Sequence, residues 1–82
     1  MPYIDLDKRD DLKHRRTKPE TPGELNYVIT EIANNYINRK GLSYATLNEV
    51  IGVLECARLE LYRRRAVPYE NAKCQANGDV YG

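Results

Sequence analysis

The chain has 82 residues, enough for one small domain, and a core of that size is only marginally stable without a disulfide, a metal or a second subunit. Its 13 Lys and Arg side chains nearly balance its 12 Asp and Glu side chains. The resulting formal net charge of +1 creates no overall field that would attract nucleic acid or an anionic membrane, so any electrostatic function must be local.

The two cysteines, Cys56 and Cys74, form no CxxC motif, and with a single histidine they supply too few ligands for a zinc site. Free thiols in a reducing cytosol are favoured over a disulfide, because no apolar N-terminal segment marks secretion. No run approaches the roughly 20 apolar residues of a transmembrane helix. We therefore expect a soluble cytoplasmic protein without metal or cofactor.

The first twenty residues are highly charged and carry few apolar anchors, namely Tyr3, Ile4, Leu6 and Leu12. They predict an N-terminal arm (1–20) with one short helical turn around residues 7–14, followed by a single helical domain (21–82). The acidic half of the arm and its basic half, residues 13–18, either pair with each other or are solvated. A nucleic-acid-binding arm is the alternative, and the lack of interleaved aromatic residues disfavours it.

The first long helix is predicted from about Pro22 to Lys40. Thr21 and Glu24 have the spacing of a capping box, Pro22 suits the first helical position, and Gly41 provides the stop. Apolar residues recur between them at helical spacing: Leu25, Val28, Ile29, Ile32, Ala33, Tyr36 and Ile37. Tyr27 falls on the opposite, polar face, where it is a stacking wall of a ligand pocket, an interface anchor or a solvated tyrosine.

The second long helix is predicted from the N-cap Ser43 to about Arg65 or Ala66. Its apolar face comprises Leu47, Val50, Ile51, Leu54, Ala57 and Leu61, while Val53 and Cys56 add apolar surface on other flanks. Because so short a chain can hardly cover several flanks, we expect this helix to pack against its copy in a homo-oligomer. Another stripe contains Asn48, Gly52, Glu55, Leu59 and Tyr62, and its glycine indicates the close approach of another helix or of a small molecule.

The stretch LELYRRRAVPYE, residues 59–70, places three arginines at the predicted end of this helix, where cations complement unpaired carbonyl groups. A short third helix is predicted from Pro68 to about Asn77, with Gly78 as its cap and with Tyr69 and Glu70 folded back beside the arginines. Arginines with neighbouring tyrosines also suit a phosphate and a base. Both interpretations of the arginine run remain open.

Catalysis has little support in the sequence. His14 lies in the charged arm, no nucleophilic constellation is visible, and the five glycines are scattered rather than gathered in a phosphate-binding loop. We therefore expect a protein that is not an enzyme.

The chain contains the motifs GELNYVIT, GLSYATLNEVIGVLECARLELYRRR, VPYE and the late NGDVY, together with MPYI at the start. In these motifs it resembles a small uncharacterised protein family associated mainly with bacteriophage genomes. The resemblance covers most of the chain from Gly23 onward and implies no established activity. A phage context suggests by association one function class, that of small homo-oligomeric proteins that sequester nucleotide-derived signals of bacterial immunity.

The sequence thus predicts an all-α fold, a hairpin of two main helices plus a short C-terminal helix, assembled as a homo-oligomer. We expect pockets at subunit junctions to bind a nucleotide-derived anion, such as a cyclic nucleotide or an ADP-ribose-type molecule, without turnover. The candidate ligand-binding residues are Asn26, Tyr27, Thr30, Asn48, Glu55, Tyr62, Arg63, Arg64, Tyr69 and Glu70. The alternative is a protein-interaction module that docks on a host or phage protein.

Overall fold

The computed structural model describes residues 4–82, which form four α-helices and one π-helical turn and contain no strand. The predicted all-α fold is confirmed. The chain divides into two compact units, Met1–Leu47 and Asn48–Gly82. The predicted anchor Tyr3 and most of the MPYI motif lie outside the described residues.

Helix α1 (Leu6–Lys13) is a full helix of two turns where one turn was expected, and Asp5 caps it by accepting a hydrogen bond from the Lys8 amide at 2.9 Å. Beyond its end, the Arg16 guanidinium binds the carboxylates of Asp10 and Asp11, the latter at 3.1 Å. The acidic and basic halves of the N-terminal segment therefore pair with each other. The boundary predicted between an arm and a domain at residue 20 stays a prediction.

Helix α2 (Pro22–Lys40) has the predicted bounds. Thr21 Oγ1 accepts a hydrogen bond from the Glu24 amide at 3.1 Å, whereas the Glu24 carboxylate accepts one from the Glu20 amide at 3.0 Å. The Glu24 carboxylate therefore binds the amide of the residue before the N-cap, whereas in a standard capping box it binds the amide of the N-cap itself. Gly41 ends the helix at φ 96°, a conformation that favours glycine.

Helix α1 packs on α2 within the first unit through one buried leucine. Leu12 is 2% exposed and shares a small cleft with Val28 and Ile32 of α2. Ion pairs join the same two helices, Lys8 to Glu24 at 3.7 Å and Lys13 to Glu31 at 3.9 Å. Among the described residues, the packing of Leu12 and two weak ion pairs thus tie the charged N-terminal segment to α2.

Helix α3 (Tyr44–Leu61) begins at Ser43, whose Oγ accepts a hydrogen bond from the amide of buried Thr46 at 3.1 Å. The predicted N-cap is therefore confirmed. The helix continues into a π-helical turn (Tyr62–Ala66) and then into α4 (Val67–Asn77), with Ala66 and Val67 both in the right-handed helical conformation. Gly78 ends α4, as predicted.

The predicted break before a separate third helix is therefore wrong. Proline lacks an amide hydrogen, and its ring clashes with the carbonyl four residues earlier, which for Pro68 is that of Arg64. The π-helical turn widens the helix just before that position: the Val67 amide donates to the carbonyl of Tyr62, five residues earlier. The helix passes through Pro68 by widening rather than by ending.

The second unit buries none of its residues. Large apolar side chains of the predicted α3 face remain open to solvent, with Ile51 63% and Leu61 64% exposed, and Val53 on another flank is 67% exposed. In the described part of the chain, no helix has the length and apolar content that crossing a membrane requires. Homo-oligomerisation through α3 stays a prediction.

Candidate functional site

The π-helical turn displays Arg63, Arg64 and Arg65 on the surface of the second unit. Arg63 donates to one carboxylate oxygen of Glu60 at 2.7 Å, and Arg64 donates to the other at 3.3 Å. The side chains of both arginines are largely exposed, at 71% and 76%. Two of the three positive charges thus share the carboxylate of Glu60, which leaves this turn cationic in a chain that is nearly neutral.

The helix-end interpretation of the arginine run is wrong, because the helix continues for eleven residues of α4 beyond the turn. The arginines therefore do not complement the last carbonyl groups of a helix. A π-helical turn inside a longer helix is uncommon and occurs frequently at functional sites. Its wider backbone also gives successive side chains directions that differ from those of a regular α-helix.

Tyr62 opens the turn and is about half exposed, at 49%. Tyr69 is 65% exposed, and the ammonium group of Lys73 lies 5.5 Å from its ring centroid. Because the helix continues, Tyr69 and Glu70 do not fold back beside the arginines as predicted. Tyr69 lies about 9 Å further along the axis than Arg63 at a rise of about 1.5 Å per residue. Tyr62 is therefore the aromatic candidate next to Arg63, whereas Tyr69 follows Arg65 by four residues, a spacing at which helical side chains are neighbours.

Asn48 and Glu55 lie on the exposed surface of α3. The carboxylate of Glu55 accepts two hydrogen bonds from Arg58, at 2.7 and 3.3 Å, and these bonds together with the arginine charge lower the pKa of Glu55. Asn48 lies about 22 Å from Arg63 along the helix axis. Asn48 and Arg63 therefore cannot contact the same part of a small ligand within one copy of the helix.

Gly52 lies in open space within the described chain. A Cβ atom placed on it would meet no neighbouring atom within 4 Å. The close approach that its position predicts is thus not made by the described residues. It remains a prediction about a second molecule.

The candidates on α2 belong to the first unit. Asn26 and Thr30 are exposed, and the Thr30 hydroxyl donates to the Asn26 side-chain oxygen at 3.3 Å. Tyr27 is half-buried in a cleft of about 50 Å³, which it shares with Leu12, Lys13, Val28 and other residues of α1 and α2. That cleft is far smaller than the roughly 300 to 1,000 Å³ of typical ligand pockets. Packing beside α1 therefore accounts for Tyr27 without a stacked ligand.

Glu60 belongs to the site but is not among the residues predicted from the sequence. Its carboxylate accepts hydrogen bonds from both Arg63 and Arg64, and its position three and four residues before them could have indicated these pairs. Cys56 and Cys74 are exposed free thiols within the chain. Among residues 4–82, no group of three or more His, Cys, Asp or Glu side chains is placed to hold a metal ion.

Comparison with known proteins identifies the family of the chain. No curated protein and no solved structure matches the chain significantly. A family model described as a domain of unknown function (DUF6899) matches residues 1–80, nearly the full length, and this agrees with the resemblance to an uncharacterised family. The chain therefore belongs to the DUF6899 family, whose function is unknown.

Proposed function

We propose that this protein binds and sequesters a nucleotide-derived anionic small molecule without turning it over. The observation that carries the proposal is the exposed π-helical turn, in which Arg63 and Arg64 share the carboxylate of Glu60 and Arg65 adds a third positive charge. Arg63 and Arg64 hold phosphate in this scheme, and Tyr62 stacks on a base. Tyr69 and Glu70 extend the contact along α4.

The ion pairs at the turn favour such a role because a ligand can replace them at little cost. Exposed salt bridges contribute only about 0 to 1 kcal/mol each, and both arginines are largely exposed. A phosphate group offers more acceptor oxygens than one carboxylate and fits the planar fork of arginine in a bidentate manner. Phosphate therefore competes well with Glu60 for Arg63 and Arg64.

The pocket is proposed to form at a junction between subunits. The uncovered apolar side chains of α3, including Ile51, Leu54 and Leu61, favour association with a second copy. A junction would also supply the enclosure that a single exposed helix lacks. Asn48 and Glu55, in the second unit, then remain candidates for polar contacts. Asn26 and Thr30 remain candidates in the first unit, whereas Tyr27 has a weaker case because of its packing beside α1.

The biological setting follows from the resemblance to phage-associated proteins. A protein of this kind, acting in the cytoplasm of an infected host, would lower the free concentration of a nucleotide-derived immune signal. Such an anti-defence role requires stoichiometric binding and no catalysis. It is consistent with a small homo-oligomer.

The test is thermal melting of the purified protein against linear nucleotides, cyclic nucleotides and ADP-ribose derivatives. Saturable binding raises the melting temperature by mass action. We expect a shift with one class of molecule, and we expect the double variant Arg63→Ala/Arg64→Ala to lose it. Arg39→Ala/Lys40→Ala is the matched control, because it also removes two exposed positive charges, from the end of α2, that the proposed site does not use. An unchanged shift in the double variant would exclude the turn as the site.

The second candidate function is a protein-interaction module. The observation that favours it is the exposed apolar surface of the second unit together with its half-exposed tyrosine, Tyr62, since aromatic residues are enriched in binding hot spots. This function predicts recovery of one stoichiometric protein from host lysate and no thermal shift with any nucleotide. A Tyr62→Ala variant would then lose the captured protein.

A further inference from the structure

The charges along α3 and the following turn are segregated by sign. From Tyr44 to Cys56 the charged residues are Glu49 and Glu55, both acidic. From position 57 to Ala66 there are four arginines and one carboxylate, that of Glu60. One half of this helical segment therefore carries two negative charges and the other half a net of three positive charges.

We propose that α3 pairs with α3 of a second copy in the antiparallel direction, so that the arginine-bearing turn of each copy lies against the acidic half of the other. The ligand assigned to this pair rests on the proposed function, whereas the direction of pairing is argued from the residues of α3 alone. An antiparallel pair brings opposite charges together at both ends. A parallel pair in register would instead place two arginine clusters side by side, which is unfavourable.

The apolar residues of α3 define the register of this pair. Val50, Leu54, Ala57 and Leu61 are spaced by four, three and four residues, so they form one stripe on the helix. In the antiparallel register, Val50 meets Leu61 of the partner copy and Leu54 meets Ala57, with the same contacts repeated by symmetry. Leu54 and Leu61 are 42% and 64% exposed within a single chain, so the pair would cover them.

This register places the turn of each copy beside the other copy. Residues 62–66 of one copy come level with residues 45–49 of its partner at a rise of about 1.5 Å per residue. Each dimer then has two equivalent junctions, and each contains the arginine-bearing turn of one copy.

The test uses disulfide trapping in the full-length protein with Cys56→Ala and Cys74→Ala, so that no native thiol interferes. In the double variant Val50→Cys/Leu61→Cys, the antiparallel pair places each new cysteine opposite its counterpart in the other copy, and oxidation yields a covalent dimer. The two positions lie about 17 Å apart on one helix, too far for a bond within one copy. Each single variant, Val50→Cys or Leu61→Cys, is expected to stay uncrosslinked.

Covalent dimers of either single variant would show parallel pairing and overturn the proposal, as would a monomeric mass for the unaltered protein in sedimentation experiments. Circular dichroism checks that each variant retains its helix. If a variant unfolds, Leu54→Cys/Ala57→Cys tests the neighbouring contact in the same way. Crosslinking without any nucleotide-induced thermal shift would support the antiparallel pairing and refute nucleotide binding. A thermal shift without crosslinking would support nucleotide binding and refute the antiparallel pairing.

Discussion

Replacing Leu12 by alanine should release α1 from α2, because Leu12 is the buried side chain between them, at 2% exposure. Burying a leucine contributes about 1.5 to 3 kcal/mol, and the cavity left by truncation adds to that loss. The ion pairs Lys8–Glu24 and Lys13–Glu31 contribute at most about 1 kcal/mol each. We therefore expect Leu12→Ala to destabilise the docking of α1 by about 2 to 3 kcal/mol.

Leu6→Ala is the matched control, since Leu6 lies in the same helix and is 76% exposed. This variant makes the same change in helix propensity but removes only about a quarter as much buried surface. We therefore expect the docking of α1 to lose about 0.5 kcal/mol or less.

Hydrogen exchange of the α1 amides measures this difference directly. A loss of 2 to 3 kcal/mol corresponds to about a 30- to 150-fold faster exchange through local opening, or to complete loss of protection if the native helix opens more easily than that. Amides in the middle of α2 should change much less. Equal exchange rates in the two variants would show that α1 is not held by Leu12, and the segment would then behave as the solvated arm that its composition suggests.

Three further changes test local features of the helices. Thr21→Ala should cost about 1 kcal/mol in the stability of α2, measured by denaturant unfolding, because the Glu24 amide loses its acceptor. Arg58→Ala should raise the pKa of Glu55 in a carboxylate titration by NMR, because Arg58 lowers it. Since folding lowers this pKa, the stability that the pair contributes is present at a pH above the unfolded-state pKa and is lost as the pH falls through the folded-state pKa. Pro68→Ala should let the turn relax to an α-helix and stabilise it by about 1 kcal/mol or more, with the Val67 amide transferring its hydrogen bond from Tyr62 to Arg63 in the variant's structure.

The elements that the sequence predicts correctly are those governed by neighbouring residues. Thr21, Pro22 and Gly41 define α2 through caps and backbone conformation, and the structure has the same bounds. Ser43 starts α3 for the same reason. Such contacts span four residues or fewer, so no knowledge of the tertiary structure is needed to see them.

The features that the sequence does not predict depend on longer contacts or on the response of the backbone. Pro68 is compatible both with the start of a new helix and with a widened turn inside an existing one, and a local pattern cannot separate them. The sequence predicts Tyr27 on the exposed polar face of α2, and only the packing of α1 beside it shows that it is half-buried. Leu12 looks like an isolated apolar residue among charges, and only the packing of α1 on α2 shows that it is buried.

The exposed second unit leads to one more prediction, which concerns protein concentration. Isolated helices are marginal in water, and most helix stability in proteins comes from packing of an apolar face. No residue from Asn48 to Gly82 is buried within the chain, so we expect this unit to gain that stability by association with a second copy. Its melting temperature should therefore rise with protein concentration, and a ligand held at the junction should raise it further. A helical signal that melts at the same temperature across a hundredfold dilution series would refute association through α3, and the proposed site would then have to form on a single exposed helix.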